Sequence, residues 1–391
     1  NIYAAVYNEE HGSVFDLTQN YGKQLLYIAG AVVIGATVLM FDYKFFPTFA
    51  NIIYIGVMVL LVFVLAFGKQ ISNSQSWFQL GIFRFQPSEF AKFATALVIA
   101  RFFSSKEINF NRFATQVRMY MIILLPMALV LLQNDTGTAI VFSAFILVFY
   151  REGFSGNLLI IGVAAVILFL LPLLFEKYYI MAILTVLYAA FALLMRKRKK
   201  IVLLFAAFLI FACGFVYSVD YVFANVLEPH QRTRINVLLG KETDLKGAGY
   251  NVNQSKIAIG SGGFIGKGFL QGTQTKYNFV PEQSTDFIFC TIGEEWGFIG
   301  STVLIGLFVF LLFRITFIAE RQRSVFSRVY GYGVAAVIFF HFFVNIGMAI
   351  GFLPVVGIPL PLFSYGGSSL IGFTILVFIL IRLDAQRYDL I

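Results

Sequence analysis

Apolar runs of about 18 residues or more recur along this chain, each long enough to cross about 30 Å of hydrocarbon as a helix. One globular core of this size could not hide them. Of 391 residues, 59% are hydrophobic and 13% charged, whereas soluble domains carry about a quarter charged residues. The expected class is an all-α polytopic membrane protein. Eleven spans are expected, at 22–41, 50–67, 88–103, 118–132, 137–150, 157–175, 179–195, 201–219, 287–313, 329–349 and 368–383. The long segment 220–286 is too polar to span, and no repeat divides the chain, so 1–391 reads as one membrane domain.

Basic residues orient the spans. One set of loops carries 17 of them: Lys44; Arg101, Lys106, Arg112 and Arg118; Arg151; Arg196 to Lys200; Arg314, Arg321, Arg323 and Arg328; Arg382 and Arg387. The short loops of the other set carry only Lys69, Arg84 and Lys177. The first set is assigned to the cytoplasm, so 220–286 lies outside, as a long loop can regardless of its charge. Asn1 then falls outside as well, which predicts one more helix before it. The net charge of +9 thus reports topology rather than nucleic-acid binding, and the run 196–200 reads as an anchor between two helices. Cys213 and Cys290 form no disulfide framework, and His11, His230 and His341 are too scattered for a zinc site.

Polar residues at membrane depth are costly and point to function. Four clusters stand out, all on the outer side. In Gln86-Pro87-Ser88-Glu89, Ser88 can cap a helix, and Glu89 and Lys92 share a helix face. That pair is either a local salt bridge or the lining of an outward cavity. Gln133 to Thr138 is a tight polar turn in which Asp135 suits an N-cap.

The third cluster occupies the long outer segment. It runs from Gln254-Ser255-Lys256 through Gly260 to Gly263, Gly266-Lys267-Gly268 and Gly272, and ends at Pro281-Glu282-Gln283-Ser284-Thr285-Asp286-Phe287. Glycine backbone N–H groups with Lys256 and Lys267 suit a phosphate. A pyrophosphate on a lipid carrier fits better than a nucleotide outside the cell. Asp286 stands where the chain enters the membrane. It is either the cap of the following helix or a general base whose pKa partial desolvation raises toward the working range. Glu294 and Glu295 look like structural carboxylates. The fourth cluster runs from Gly351 to Ser369. Pro354, Pro359 and Pro361, with repeated glycines, forbid a regular helix there, so the segment is re-entrant or lines a cavity.

Together these segments resemble the SEDS family (shape, elongation, division and sporulation), in its RodA-like branch. The resemblance rests on Gln86-Pro87-Ser88-Glu89 with Lys92, on Gln254 to Gly262, on Pro281-Glu282 with Thr285-Asp286-Phe287, and on Gly357 to Pro361 with Ser364-Tyr365-Gly366-Gly367-Ser368. Gly268 to Gln274 looks like the RodA branch rather than the FtsW branch. The family usually carries a proline where Asn134 stands, and ten helices; residues 176–219 look like an added helix pair.

The resemblance implies a peptidoglycan glycosyltransferase of cell elongation and shape that polymerises lipid II on the outer face of the cytoplasmic membrane. It implies that Asp286 is essential, and that a class B penicillin-binding protein is the partner. Asp286 would take the proton of an acceptor hydroxyl. Lys92, Lys256, Lys267, Arg232 or Arg234, or a divalent cation such as magnesium or manganese, would hold the departing pyrophosphate. The expected substrate contacts further include Glu89, Asp135, Gln254, Ser255, Glu282, Thr285 and Ser364 to Ser368. Two rival readings stay open, a flippase for the lipid precursor and a non-catalytic scaffold for the penicillin-binding protein.

Overall fold

The computed structural model describes residues 2–6, 15–71, 74–80, 83–105, 112–154, 175–221 and 248–388, with isolated positions between 156 and 172 and between 223 and 236. Its helices are α1 (Ile2–Val6), α2 (Asn20–Met40), α3 (Phe45–Phe67), α4 (Pro87–Phe103), α5 (Phe113–Leu132), α6 (Thr136–Val141), α7 (Phe145–Arg151), α8 (Lys177–Leu194), α9 (Lys199–Tyr221), α10 (Ala248–Ser261), α11 (Thr273–Lys276), α12 (Ile288–Glu320), α13 (Val325–Ala349) and α14 (Gly367–Ala385). Among the described residues, eight of these are long and apolar enough to cross a membrane. The expected spans at 88–103 and 137–150 appear as α4 and as α6 to α7, shorter than the rest. The expected span at 157–175 lies mainly outside the described residues. Two compact units are distinguishable, residues 1–154 with 251–391, and residues 155–250. The helix pair expected at 176–219 is present in the second unit as α8 and α9.

Helix α3 shows why these sequences form membrane helices. Phe46, Ala50, Tyr54, Val57, Met58, Leu61 and Val64 are buried, at the three-and-four spacing of one helix face. The opposite face, with Ile52, Ile55, Val62 and Phe63, is just as apolar yet exposed. A soluble helix would carry charge there. Helix α4 is enclosed along nearly its whole length, because Ala91, Ala94, Ala96 and Ala100 let neighbouring backbones approach. Ala96 meets Gly333 of α13, where an added Cβ would lie 3.2 Å from the Ala96 Cβ.

Two features depart from the sequence reading. Between α3 and α4 the chain forms an antiparallel sheet of β1 (Lys69–Ile71), β2 (Ser74–Leu80) and β3 (Phe83–Phe85). The fold is therefore mainly helical with a small three-stranded sheet. Its short strands carry only local alternation, easily overlooked beside long apolar helices. The sheet docks on the turn after α5, since the Gln75 N–H and the Ser74 hydroxyl both donate to the Gln133 carbonyl, each at 3.0 Å. Helix α12 is also interrupted at Gly297 (φ 61°, ψ −154°), a backbone region open essentially to glycine alone. A Cβ there would lie 2.4 Å from the Gly266 nitrogen, so the glycine-rich part of the long segment packs into the break.

Residues 351–366 form no helix between α13 and α14, as their prolines and glycines require. At the end of the bundle assigned to the cytoplasm, basic residues meet carboxylates from other helices. Arg151 pairs with Glu320 at 2.6 Å and Arg328 with Glu152 at 2.8 Å, while Arg321 pairs with Asp384.

Candidate active site

The site begins with a buried chain of polar groups. Pro87 occupies the first helical position of α4 and Gln86 the cap position, a placement that suits the fixed φ of proline. Ser88, expected as the cap, falls inside the first turn, and its buried hydroxyl has no hydrogen-bond partner among the described residues. One turn along the same face, the Lys92 ammonium and the Glu89 carboxylate pair at 2.7 Å, with each side chain 3% exposed. Lys92 Nζ also lies 3.0 Å from His341 Nε2, and 4.8 Å from the centre of the Phe373 ring. His341 Nδ1 lies 3.1 Å from the Pro359 carbonyl. A carbonyl only accepts, so Nδ1 carries the proton and Nε2 accepts from Lys92. The salt bridge of α4 is therefore tied through α13 to the Pro/Gly segment.

Asp135 joins the same region. It is the N-cap of α6 and accepts from the Thr138 N–H at 3.0 Å, as the turn chemistry predicts. It also accepts from the Gln86 amide at 2.9 Å. Burial pushes its carboxyl above the usual carboxylate range, against the hydrogen bonds from Thr138. Gly137 is required here, because a Cβ would lie 2.2 Å from the Val356 carbonyl oxygen. The polar turn thus rests directly on the Pro/Gly segment.

Asp286 is held from three sides. The Asn345 amide donates to its backbone carbonyl and to that of Ile358, both at 2.8 Å. The Ser364 hydroxyl donates to the Thr285 carbonyl at 2.6 Å and the Tyr365 N–H to the Ser284 carbonyl at 2.9 Å. Thr285 donates to the Glu282 carboxylate at 2.8 Å, and Glu282 holds its turn with φ 55°. The cap position of α12 is Phe287, not Asp286. The Asp286 carboxylate instead faces exposed Gly357 (φ 72°), where an added Cβ would lie 3.4 Å from Oδ2. Asp286 itself is half-buried.

The end of the Pro/Gly segment is fixed in turn. The Ser368 hydroxyl donates to the Arg84 carbonyl at 2.8 Å and accepts from the Gln86 N–H at 3.2 Å. The Gly366 N–H donates to Gln24 at 3.2 Å, and Gly367 packs against the Tyr27 ring. Burial and the neighbouring Tyr27 push the Tyr365 phenol up to about 12, so it remains a hydroxyl donor at neutral pH.

Other expected residues have different surroundings. Lys267 pairs at 2.7 Å with Glu294, whose side chain is fully buried. The same carboxylate accepts from the Gln274 and Thr275 N–H groups, each at 2.9 Å, and Glu295 accepts from the Leu270 N–H at 3.0 Å. The glycine-rich loop is thus wrapped around two glutamates of α12. Buried Ser255 donates to the Ala349 carbonyl at 2.8 Å, fastening α10 to the end of α13. Half-buried Gln254 and exposed Lys256 are on that helix, and the Lys256 stem lies against Gly351. Arg232 is half-buried in the second unit, and Arg234 lies outside the described residues. Among the described residues, no three His, Cys, Asp or Glu side chains gather as a metal-ligand group.

The four polar clusters, scattered over some 280 residues of sequence between Gln86 and Ser369, meet at one end of the bundle. Two residues central to that meeting were not assigned a role from the sequence: His341, considered only as a zinc ligand and set aside, and Asn345, which was not singled out. They are four apart on α13, hence on one face, within an otherwise apolar span. That spacing was the available signal.

The FtsW/RodA/SpoVE family model, described as cell cycle protein, matches residues 2–190 and 158–389. The peptidoglycan glycosyltransferase RodA of Treponema pallidum is 36% identical over 99% of this chain and 94% of its own length. The peptidoglycan glycosyltransferase MrdB of Escherichia coli is 38% identical over 88% of this chain and 80% of its own. A solved chain from work on the structural coordination of polymerization and crosslinking by a peptidoglycan synthase complex is similar at TM-score 0.71 and 26% identity. That match covers 99% of this chain and 96% of that one. This chain belongs to the FtsW/RodA/SpoVE family.

Proposed function

We infer that this chain is a peptidoglycan glycosyltransferase that polymerises lipid II at the outer face of the cytoplasmic membrane, as one membrane domain with an added helix pair at 176–219. The relatives named for that activity support the enzyme class. One observation carries the site assignment: the half-buried Asp286 carboxylate stands beside exposed Gly357, where the backbones of the third and fourth polar clusters are pinned by Asn345, Ser364 and Tyr365.

In the proposed step the hydroxyl oxygen of one sugar attacks the anomeric carbon of a glycan chain carried on a lipid pyrophosphate. The new C–O bond forms as the bond to the pyrophosphate breaks. Asp286 takes the hydroxyl proton, and the lipid pyrophosphate leaves with the bonding electrons. Lys256, exposed beside the start of the Pro/Gly segment, is the cation we propose for that charge. Lys92 and Lys267 are engaged by carboxylates and act through positioning. A class B penicillin-binding protein would crosslink the product.

Asp286→Asn keeps the shape and removes the base. Purified variant protein is expected to lose polymer formation from lipid II by gel assay, by about a hundredfold or more. Near wild-type polymerisation would overturn the assignment.

A further inference from the structure

The basic run at the hairpin between α8 and α9 has a structural companion that charge alone did not reveal. A groove of about 360 Å³ opens between the two helices. Tyr188, Ala192 and Arg196 line it from the α8 side, and Lys199, Val202, Leu203 and Ala206 line it from α9. Tyr188 and Ala192 are four apart on α8, and Lys199, Val202, Leu203 and Ala206 are spaced by three and four on α9, so each set shares one helix face; Arg196 stands in the turn just beyond α8. The small side chains of Ala192 and Ala206 leave the space between the helices. Phe191 and Phe205, with ring centres 4.4 Å apart, and the Tyr188 hydroxyl, 3.4 Å from the Val202 carbonyl, hold the helices together beside it.

The groove is graded in polarity. Arg196 and Lys199 stand exposed at the hairpin, and half-buried Val202, Ala192 and Ala206 lie deeper. From Tyr188 to the end of α8 at Leu194 is six residues, about 9 Å along a helix at 1.5 Å per residue, and Arg196 follows two residues beyond. Lys197, Arg198 and Lys200 belong to the same run but do not line the groove. Two cations at a membrane end and an apolar floor beneath them match one kind of molecule, a negatively charged headgroup on an acyl chain.

We propose that this groove binds one anionic phospholipid from the leaflet at the hairpin's end, with the phosphate between Arg196 and Lys199 and an acyl chain along Ala192, Val202 and Ala206. A run acting only as a topology anchor would attract anionic lipid diffusely, through all five charges alike. The test uses the full-length protein, delipidated in neutral detergent and titrated with dioleoyl-phosphatidylglycerol, bound lipid being counted by native mass spectrometry. The wild type is expected to retain one tight lipid, and dioleoyl-phosphatidylcholine or inorganic phosphate is not expected to displace it. Arg196→Gln with Lys199→Gln should weaken that site about thirtyfold, at roughly fivefold for each basic side chain. Lys197→Gln with Lys200→Gln, which removes equal charge outside the groove, should leave it intact. Ala206→Trp keeps every charge, fills the floor and should also abolish the tight site. Equal weakening by both charge pairs, displacement by inorganic phosphate, or unchanged binding in Ala206→Trp would each overturn the proposal.

Discussion

The pair Glu89–Lys92 offers a measurement that separates structural from chemical importance. Both side chains are 3% exposed, and they pair at 2.7 Å. Removing one partner of such a buried pair costs about 3–5 kcal/mol, because the other charge is left uncompensated. In Glu89→Gln, Lys92 would keep His341 Nε2 at 3.0 Å and the Phe373 ring at 4.8 Å. The expected loss is therefore at the lower end, about 3 kcal/mol. Replacing both, as Glu89→Gln with Lys92→Met, removes the charges together and should recover at least half of that loss, to within about 1.5 kcal/mol of wild type. Reversible denaturation of the purified protein in mixed detergent micelles reads these differences. If the single variant were as stable as the wild type, or the double less stable than the single, the buried-pair argument would fail. Polymerisation by the double variant then answers the second question. A folded but inactive double shows that the charges serve catalysis as well as packing.

Further predictions follow from individual contacts. Gly297→Ala forces a side chain into a glycine-only backbone conformation against the Gly266 nitrogen. It should cost about 3 kcal/mol or more and appear as loss of monodisperse protein on heating, while Gly306→Ala, with open space around it, should not. Asn345→Leu removes both amide donations beneath Asp286 and Ile358. Turnover should fall about ten- to a hundredfold with KM little changed, as steady-state assays on lipid II would record. Lys267→Met leaves the Glu294 carboxylate buried without its ammonium. The expected result is a stability loss of about 3 kcal/mol that Glu294→Gln in the same chain partly restores. A KM increase with unchanged stability would instead mark Lys267 as a pyrophosphate ligand.

The division between what the sequence carried and what the tertiary structure decided follows from the range of the forces involved. Membrane helices are dictated locally: an apolar stretch such as 45–67 must satisfy its backbone polar groups internally whatever surrounds it. The non-helical stretch after α13 was equally legible, since Pro354, Pro359 and Pro361 break a helix by their own covalent structure. Asp135 as a cap was local too. The three-stranded sheet at 69–85 was missed because its signal is a few alternating residues in short strands, docked on the turn after α5. What no local rule could show was which partners the polar residues would find. Lys267 looked like a phosphate ligand until Glu294 stood beside it, and His341 looked like a stray until α4 and Pro359 closed on its two nitrogens. A buried polar group is satisfied by whatever the packing brings within about 3 Å. That outcome belongs to the assembled bundle, because its partners lie many turns of helix apart along the chain.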